Sequence, residues 1–342
     1  MSETLQTKRT RHAVIADSPL SKRYILPMHS FAPSARTLLA ITLVLMVACS
    51  SKGEETGAED SGTPTGSSPY VWKTVDVGTW VSCGVDQHDN LRCWGRGFGA
   101  EFDASVKYTD VTVGSAHVCA LTTDSEIICE GEEAGGRTES PLGTFREVHA
   151  GIAFNCALDH SRQIQCWGQN QSGSTDPPVG EYVKIGAGDK HGCALDAQGE
   201  IACWGVFMAG PGTPPATGYT SVSSGGDHNC GLGLSGNATC WGTDDYGEAT
   251  APIETFTSIA AGDTFSCGLT EKGAIRCWGL SDGSADDYGQ VTDAPTEGVF
   301  TEIAAGWATA CAIDEAGEAH CWGWNEYGQT DVPMRSDEPP TD

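Results

Sequence analysis

The sequence predicts an all-β fold assembled from seven like antiparallel units. Three observations carry that expectation. Fourteen of the 15 cysteines fall into pairs ten positions apart, and the pairs recur at a nearly constant interval. The third is composition: 44 glycines beside only 19% charged residues suit short strands and turns better than helices.

The elements follow in chain order. From Met28, the stretch MHSFAPSARTLLAITLVLMVACSS has a basic start (His29, Arg36), an apolar run from Leu38 to Val47, and Ala48 before Cys49. That layout predicts an export signal. The apolar run is about half the ~20 residues of a spanning helix, so a cleaved leader is expected rather than a membrane span. MVAC resembles a bacterial lipobox, which implies that residues 1–48 are removed and that Cys49 becomes the lipidated first residue. Residues 1–27 make a long leader and leave Met28 as an alternative start. Ser50 after the cysteine resembles the sorting signal of outer-membrane lipoproteins.

Residues 49–70 are rich in Gly, Ser, Thr and Glu and have almost nothing apolar to bury, which predicts a flexible tether. The whole chain carries a formal charge of −27; without residues 1–48, 13 basic residues face 44 acidic ones, or −31. A surface of that sign repels phosphate backbones, so nucleic acid is excluded as a partner.

The pairs are Cys83 with Cys93, Cys119 with Cys129, Cys156 with Cys166, Cys193 with Cys203, Cys230 with Cys240, Cys267 with Cys277 and Cys311 with Cys321. First cysteines are 36, 37, 37, 37, 37 and 44 residues apart, a period that means a solenoid, a propeller or an array. Five residues before each first cysteine stands a glycine (Gly78, Gly114, Gly151, Gly188, Gly225, Gly262, Gly306). Six residues before that glycine stands an aromatic: Trp72, Tyr108, Phe145, Tyr182, Tyr219, Phe256 or Phe300. Trp-Gly follows the second cysteine in every copy except Glu130-Gly131.

In HGCALDAQGEIACWG, a turn at Ala197-Gln198-Gly199 sets Leu195 opposite Ile201 and Cys193 opposite Cys203. Glycine at the third loop position is the mark of a type I turn closed by a left-handed residue. Four copies have it and Asp89, Ser125 and Arg162 replace it elsewhere, so the turn is expected to be preferred rather than obligatory. Alternation puts Cys193, Leu195, Ile201 and Cys203 on one face and Ala194 and Trp204 on the other. A hairpin apolar on both faces needs a sheet on each side, as in stacked blades. Directly opposed residues lie within disulfide reach, so one intra-hairpin disulfide per unit is expected, consistent with export to an oxidising compartment. Zinc would ask for C-x2-4-C spacing, which is absent.

The pattern aG..hsCaLd..G.i.CWG.n..Gq...P resembles the repeat of the regulator of chromosome condensation superfamily over residues 71–334. The period is most similar to that of the bacterial propeller-type β-lactamase inhibitor protein. The resemblance implies a seven-bladed β-propeller of about 37-residue repeats with three main strands per blade, closed by Gly323 to Pro333 beside Tyr70 to Gly78. Residues 335–342 are expected to be a disordered tail.

His117, His191 and His228 share one repeat position with Val81, Phe154, Phe265 and Thr309, which predicts packed, hydrogen-bonded histidines rather than catalytic ones. No nucleophile, histidine and acid arrangement or phosphate-binding loop stands out, so no enzyme and no cofactor is expected. The variable crossovers after each Trp-Gly supply the candidate partner-binding residues: Phe98, Phe207, Asp244, Asp245, Tyr246, Tyr288, Trp324, Asn325 and Tyr327. An alternative reading has the crossover tyrosines pack on their own blades. Asp282, Ser284 and Asp286 repeat the alternate-oxygen spacing of calcium loops without the downstream bidentate acid.

These readings lead to a monomeric, lipid-anchored, non-enzymatic scaffold at the outer membrane or cell surface that binds a protein or glycan. The runner-up, implied by the resemblance, is an inhibitor of a secreted or periplasmic enzyme. An enzyme working in the channel or loop face would show polar residues with shifted pKa values there. Guanine-nucleotide exchange, an activity of the eukaryotic branch, is set aside because export removes the chain from GTPases.

Overall fold

Seven three-stranded antiparallel sheets, in strict chain order, form the blades of a computed structural model that describes residues 70–97, 101–170, 173–206 and 214–334. Blade 1 comprises an inner strand Trp72–Val77, a middle strand Val81–Asp86 and an outer strand Leu91–Gly95. Blade 7 ends the series with Phe300–Ala305, Thr309–Asp314 and Ala319–Gly323. The expected seven-bladed propeller, three strands per blade, is borne out.

The local reasons repeat from blade to blade. Leu195 opposes Ile201 and Cys193 opposes Cys203, as the turn at Ala197-Gln198-Gly199 requires. Every expected cysteine pair is joined by a disulfide. Cys83 is bonded to Cys93, Cys119 to Cys129, Cys156 to Cys166, Cys193 to Cys203, Cys230 to Cys240, Cys267 to Cys277 and Cys311 to Cys321, with Cα–Cα distances of 4.0 to 4.1 Å. A closed loop of this size contributes about 3 kcal/mol in the chain-entropy account.

The two ends of each bridge differ in burial. The first cysteines lie on middle strands and are fully buried, whereas Cys166, Cys203, Cys240, Cys277 and Cys321 on outer strands are half-buried. Cys93 is exposed, and Cys129 is buried. Outer strands form the free edge of each sheet, so the bridge ties that edge to the packed middle strand.

Gly199 takes φ +82°, and Asp89, Ser125 and Arg162 take the same left-handed conformation at 63°, 67° and 65°. The turn is therefore kept in all seven hairpins, a correction to the expectation that it is only preferred. Tertiary pairing on both sides overrides the side-chain cost of positive φ.

Each sheet is apolar on both faces because blades stack. Cys193, Leu195 and Ile201 pack on Tyr219, Val222 and Trp241 of the next blade, while Ala194 and Trp204 pack on Phe154, Cys156 and Leu158 of the preceding one. Only Ala or Gly fits after the first cysteine, because the inner-strand aromatic of the same blade covers that position. A Cβ on Gly84 would lie 2.6 Å from the Trp72 ring.

Directed hydrogen bonds lock neighbouring blades. Among the described residues, in five blades the Trp of Trp-Gly donates its indole N–H to a carbonyl in the preceding crossover: Trp167 to Arg137 at 3.1 Å, Trp204 to Ser174 at 2.7 Å, Trp278 to Glu248 at 2.9 Å, Trp322 to Gln290 at 3.0 Å and Trp94 to Gln329 at 2.9 Å. The last of these closes the ring. Val332 adds to the closure by packing with Tyr70 and Trp72. Hairpin turns meet the next inner strand on one face of the disc, as in Tyr182 N–H to Arg162 O at 2.9 Å and Trp72 N–H to Gly317 O at 2.8 Å. This is called the hairpin face below.

Candidate functional site

On the opposite face each inner strand ends at its repeat glycine, and the seven glycines from Gly78 to Gly306 encircle one mouth of the central channel. The approach leaves no room for a side chain. At Gly225 a Cβ would strike the Gly262 carbonyl oxygen and lie 2.8 Å from His228 Cε1. The next residue of each blade rims this mouth: Thr79, Ser115, Ile152, Asp189, Gly226, Asp263 and Trp307.

Three carboxylates gather there. Burial, with repulsion from Asp263 and Asp227, pushes the Asp189 carboxyl up to about 7. Burial, with repulsion from Asp227 and Glu248, pushes Asp263 up to about 6, although the Trp307 side chain hydrogen-bonds it. Gly226 sits between Asp189 and Asp263 in blade order, and a Cβ on it would collide with the Asp263 carboxylate.

Beside the carboxylates stands a part-exposed aromatic cluster. Trp307 lies 5.0 Å from Trp324 and 6.0 Å from Tyr288, Tyr288 lies 5.9 Å from Trp324, and Trp324 lies 5.4 Å from Tyr327, all between ring centroids. The Arg96 guanidinium covers the far end, 4.8 Å from the Trp80 ring and 5.4 Å from Tyr327. The cluster spans blades 6, 7 and 1.

Deeper in the channel, a cavity of about 270 Å³ is lined by Asp76, Asp110 and His149 among others. Burial pushes Asp76 up to about 6 and raises Asp110 and Glu302. Burial works against the charge of His149, but its hydrogen bond to Glu147 and the field of Glu147, Asp110 and Asp76 win and raise it. The carboxylates have structural employment. Asp76 accepts the Val113 N–H at 2.8 Å, Glu147 the Ile185 N–H at 3.3 Å, and Glu302 the Val75 N–H at 2.9 Å. Each bond joins one inner strand to another.

The sequence matches the Regulator of chromosome condensation (RCC1) repeat family over residues 182–206, 256–290 and 300–329, which fall in blades 4, 6 and 7. Three of the seven blades thus match the RCC1 repeat. Three solved structures share the fold. The CRINKLY WD40 ectodomain of the Arabidopsis thaliana receptor kinase ACR4 is 24% identical over 78% of this chain and 100% of that one, with a TM-score of 0.64. The ectodomain of the Physcomitrella patens receptor kinase CR4 is 24% identical over 73% and 72%, TM-score 0.62. Yeast RCC1 (Prp20), in a complex with Kap60, is 16% identical over 82% and 88%, TM-score 0.56. No curated protein sequence matches the chain.

Within the propeller the sequence candidates separate. Tyr288, Trp324 and Tyr327 come together in the aromatic cluster. Asp244 accepts from the Ala249 N–H at 2.9 Å and the Thr250 hydroxyl at 2.7 Å, and Asn325 pairs with Asp331 at 2.9 Å and with the Thr330 N–H at 2.9 Å. Both thus shape their own crossovers. Asp245 is exposed, and Tyr246 keeps 46% of its surface while its N–H binds Glu248 at 2.8 Å. Phe98, Phe207 and Cys49 lie outside the described residues. Asp282 accepts the Ser284 N–H at 2.9 Å in an exposed local turn. Among the described residues the His, Asp and Glu group of ligand spacing is Asp314, Glu318 and His320, where Asp314 braces the blade 7 hairpin much as Asp86 with Arg92 braces blade 1.

The repeat histidines are buried between blades. His117 pairs with Asn155 at 2.8 Å, His191 with Asn229 at 2.9 Å and His228 with Ser266 at 2.7 Å. Burial pushes His117 and His228 down to about 4 and lowers His191. Sequence reasoning missed Trp307, Asp189 and Asp263. The signal that finds them is the variable residue directly after each fixed repeat glycine.

Proposed function

We propose that the chain is an exported, lipid-anchored, non-catalytic propeller that binds a protein or glycan partner on its glycine face. The single observation carrying this is the part-exposed cluster of Trp307, Trp324, Tyr288 and Tyr327 at the channel mouth. Aromatic anchors of this kind concentrate binding energy at interfaces, while scattered polar contacts contribute little. Export is supported by the seven disulfides, which persist in oxidising compartments. The same fold serves as the ectodomain of two receptor kinases. An inhibitor of a secreted or periplasmic enzyme is one form that such a binder takes.

The test is affinity capture from intact envelopes with the full chain and with Trp324→Ala. The expected result is a partner retained by the first and lost by the second, with both chains melting within a few degrees of each other. Equal retention would remove the aromatic cluster from the binding surface.

One observation favours a second reading. Asp189, pushed up to about 7, and Asp263, pushed up to about 6 and hydrogen-bonded by Trp307, resemble the carboxyl pairs of acid–base hydrolysis. Turnover of envelope oligosaccharides that disappears in both Asp189→Asn and Asp263→Asn would support that reading over simple binding.

A further inference from the structure

We propose that the notch at Asp189, Gly226 and Asp263, walled by Trp307 with Trp324 packed against it, receives a lysine or arginine side chain from a basic segment of a protein partner. This deepens the binding function proposed above and rests on it.

The geometry comes first. Four consecutive blades place Asp189, Gly226, Asp263 and Trp307 at the same rim position, and because Gly226, in the blade between the two acids, has no side chain, the Asp263 carboxylate lies over it. Among the described residues no hydrogen-bond donor reaches the carboxylates of Asp189 or Asp227, and Asp263 is bonded only through Trp307. Carboxylates left without donors at a part-buried site repel one another, and a cation supplies both the missing donors and the opposite charge.

The aromatic wall fits the same chemistry. Ring faces attract ammonium and guanidinium groups within about 6 Å. The cluster already does this at its other end, where Arg96 lies 4.8 Å from Trp80 and 5.4 Å from Tyr327. Trp307, which hydrogen-bonds Asp263, offers the equivalent surface beside the acids, and Trp324 packs against it at 5.0 Å. A neutral sugar would stack on these rings and add no charge against the repulsion between Asp189, Asp227 and Asp263, which Lys190 offsets in part at Asp189.

Charge on the wider face supports a basic segment over a lone cation. Beyond the notch, Asp244, Asp245, Asp282 and Asp286 are exposed on crossovers of this side, against Arg96 and Lys190 as its exposed cations among the described residues. Such a field steers a positively charged partner and aligns it before contact.

The test titrates the full chain with acetylated tetra-arginine amide, following tryptophan fluorescence. Tetraglutamine and cellotetraose serve as comparison probes. Asp189→Asn with Asp263→Asn is expected to weaken tetra-arginine at least tenfold. Glu271→Gln with Glu315→Gln, which removes two carboxylates from the hairpin face, should change it less than twofold. Trp324→Phe should retain most of the affinity and Trp324→Ala should lose it, with near-ultraviolet circular dichroism checking the fold. Equal weakening by the two charge pairs would overturn the notch in favour of diffuse attraction. Saturable cellotetraose binding without tetra-arginine binding would overturn the cationic ligand. Envelope capture that depends on Trp324 while tetra-arginine fails to bind would remove the cation assignment alone.

Discussion

Trp94 donates its indole N–H to the Gln329 carbonyl oxygen at 2.9 Å, across 235 positions of chain. Ser82 Oγ donates to the same oxygen at 2.8 Å. One carbonyl from the last crossover thus receives two side chains of the first blade, and the ring closes on it.

Shared acceptance predicts non-additive energetics. Ser82→Ala and Trp94→Phe should each cost about 1 kcal/mol, because the remaining donor still satisfies the buried oxygen. The double variant leaves it bare and should cost about 3 kcal/mol, more than the two together. Urea denaturation of the four chains checks this, and simple additivity would separate the two donors.

Gly225→Ala tests the closeness of the inner ring. Its Cβ would meet a neighbouring backbone oxygen and the His228 ring, neither of which has room to give. A loss of about 3 kcal/mol is expected by thermal denaturation, whereas open space would make the change neutral or stabilising.

His228 stays neutral in the fold down to about 4, against about 6.5 in an unfolded chain. The unfolded chain takes up the proton first. This histidine therefore lowers stability as pH falls from about 6.5 to about 4 and has no pH effect above about 7. Phe265 fills the same position in the next blade, and in His228→Phe the Ser266 hydroxyl keeps the Glu248 carbonyl at 3.1 Å. The variant should lose up to about 3 kcal/mol less than the parent across that window. Parallel stability curves would contradict this.

Asp189 works in the opposite sense. Its folded value of about 7 exceeds the unfolded value of about 3.9, so its contribution falls as pH rises from about 4 to about 7. Asp189→Asn should be about 1 to 2 kcal/mol more stable than the parent at pH 8, allowing for solvent at the open mouth, and no more stable at pH 4. Melting at the two pH values decides it.

The repeat was legible because its landmarks recur at fixed spacing. Opposition of Cys193 to Cys203 follows from the turn position, and the two-faced packing of Leu195 and Trp204 from period-two alternation. The mouth was less legible. Asp189, Asp263 and Trp307 are far apart in sequence, and ring closure brings their blades to one rim. Asn325 and Asp244 misled for a local reason: they read as surface polar residues, yet each ties back to a residue six positions on, Asp331 and Thr250. Asn170 with Asp176 repeats that spacing, so the self-contained loop was readable from the chain.

Hydrogen–deuterium exchange of the full chain, free and with its captured envelope partner, tests the binding face most directly. Slower exchange at residues 304–309 and 323–328, with the hairpin turns at 87–90 and 197–200 unchanged, is the predicted result. Protection of those turns with none around Trp307 and Trp324 would contradict it.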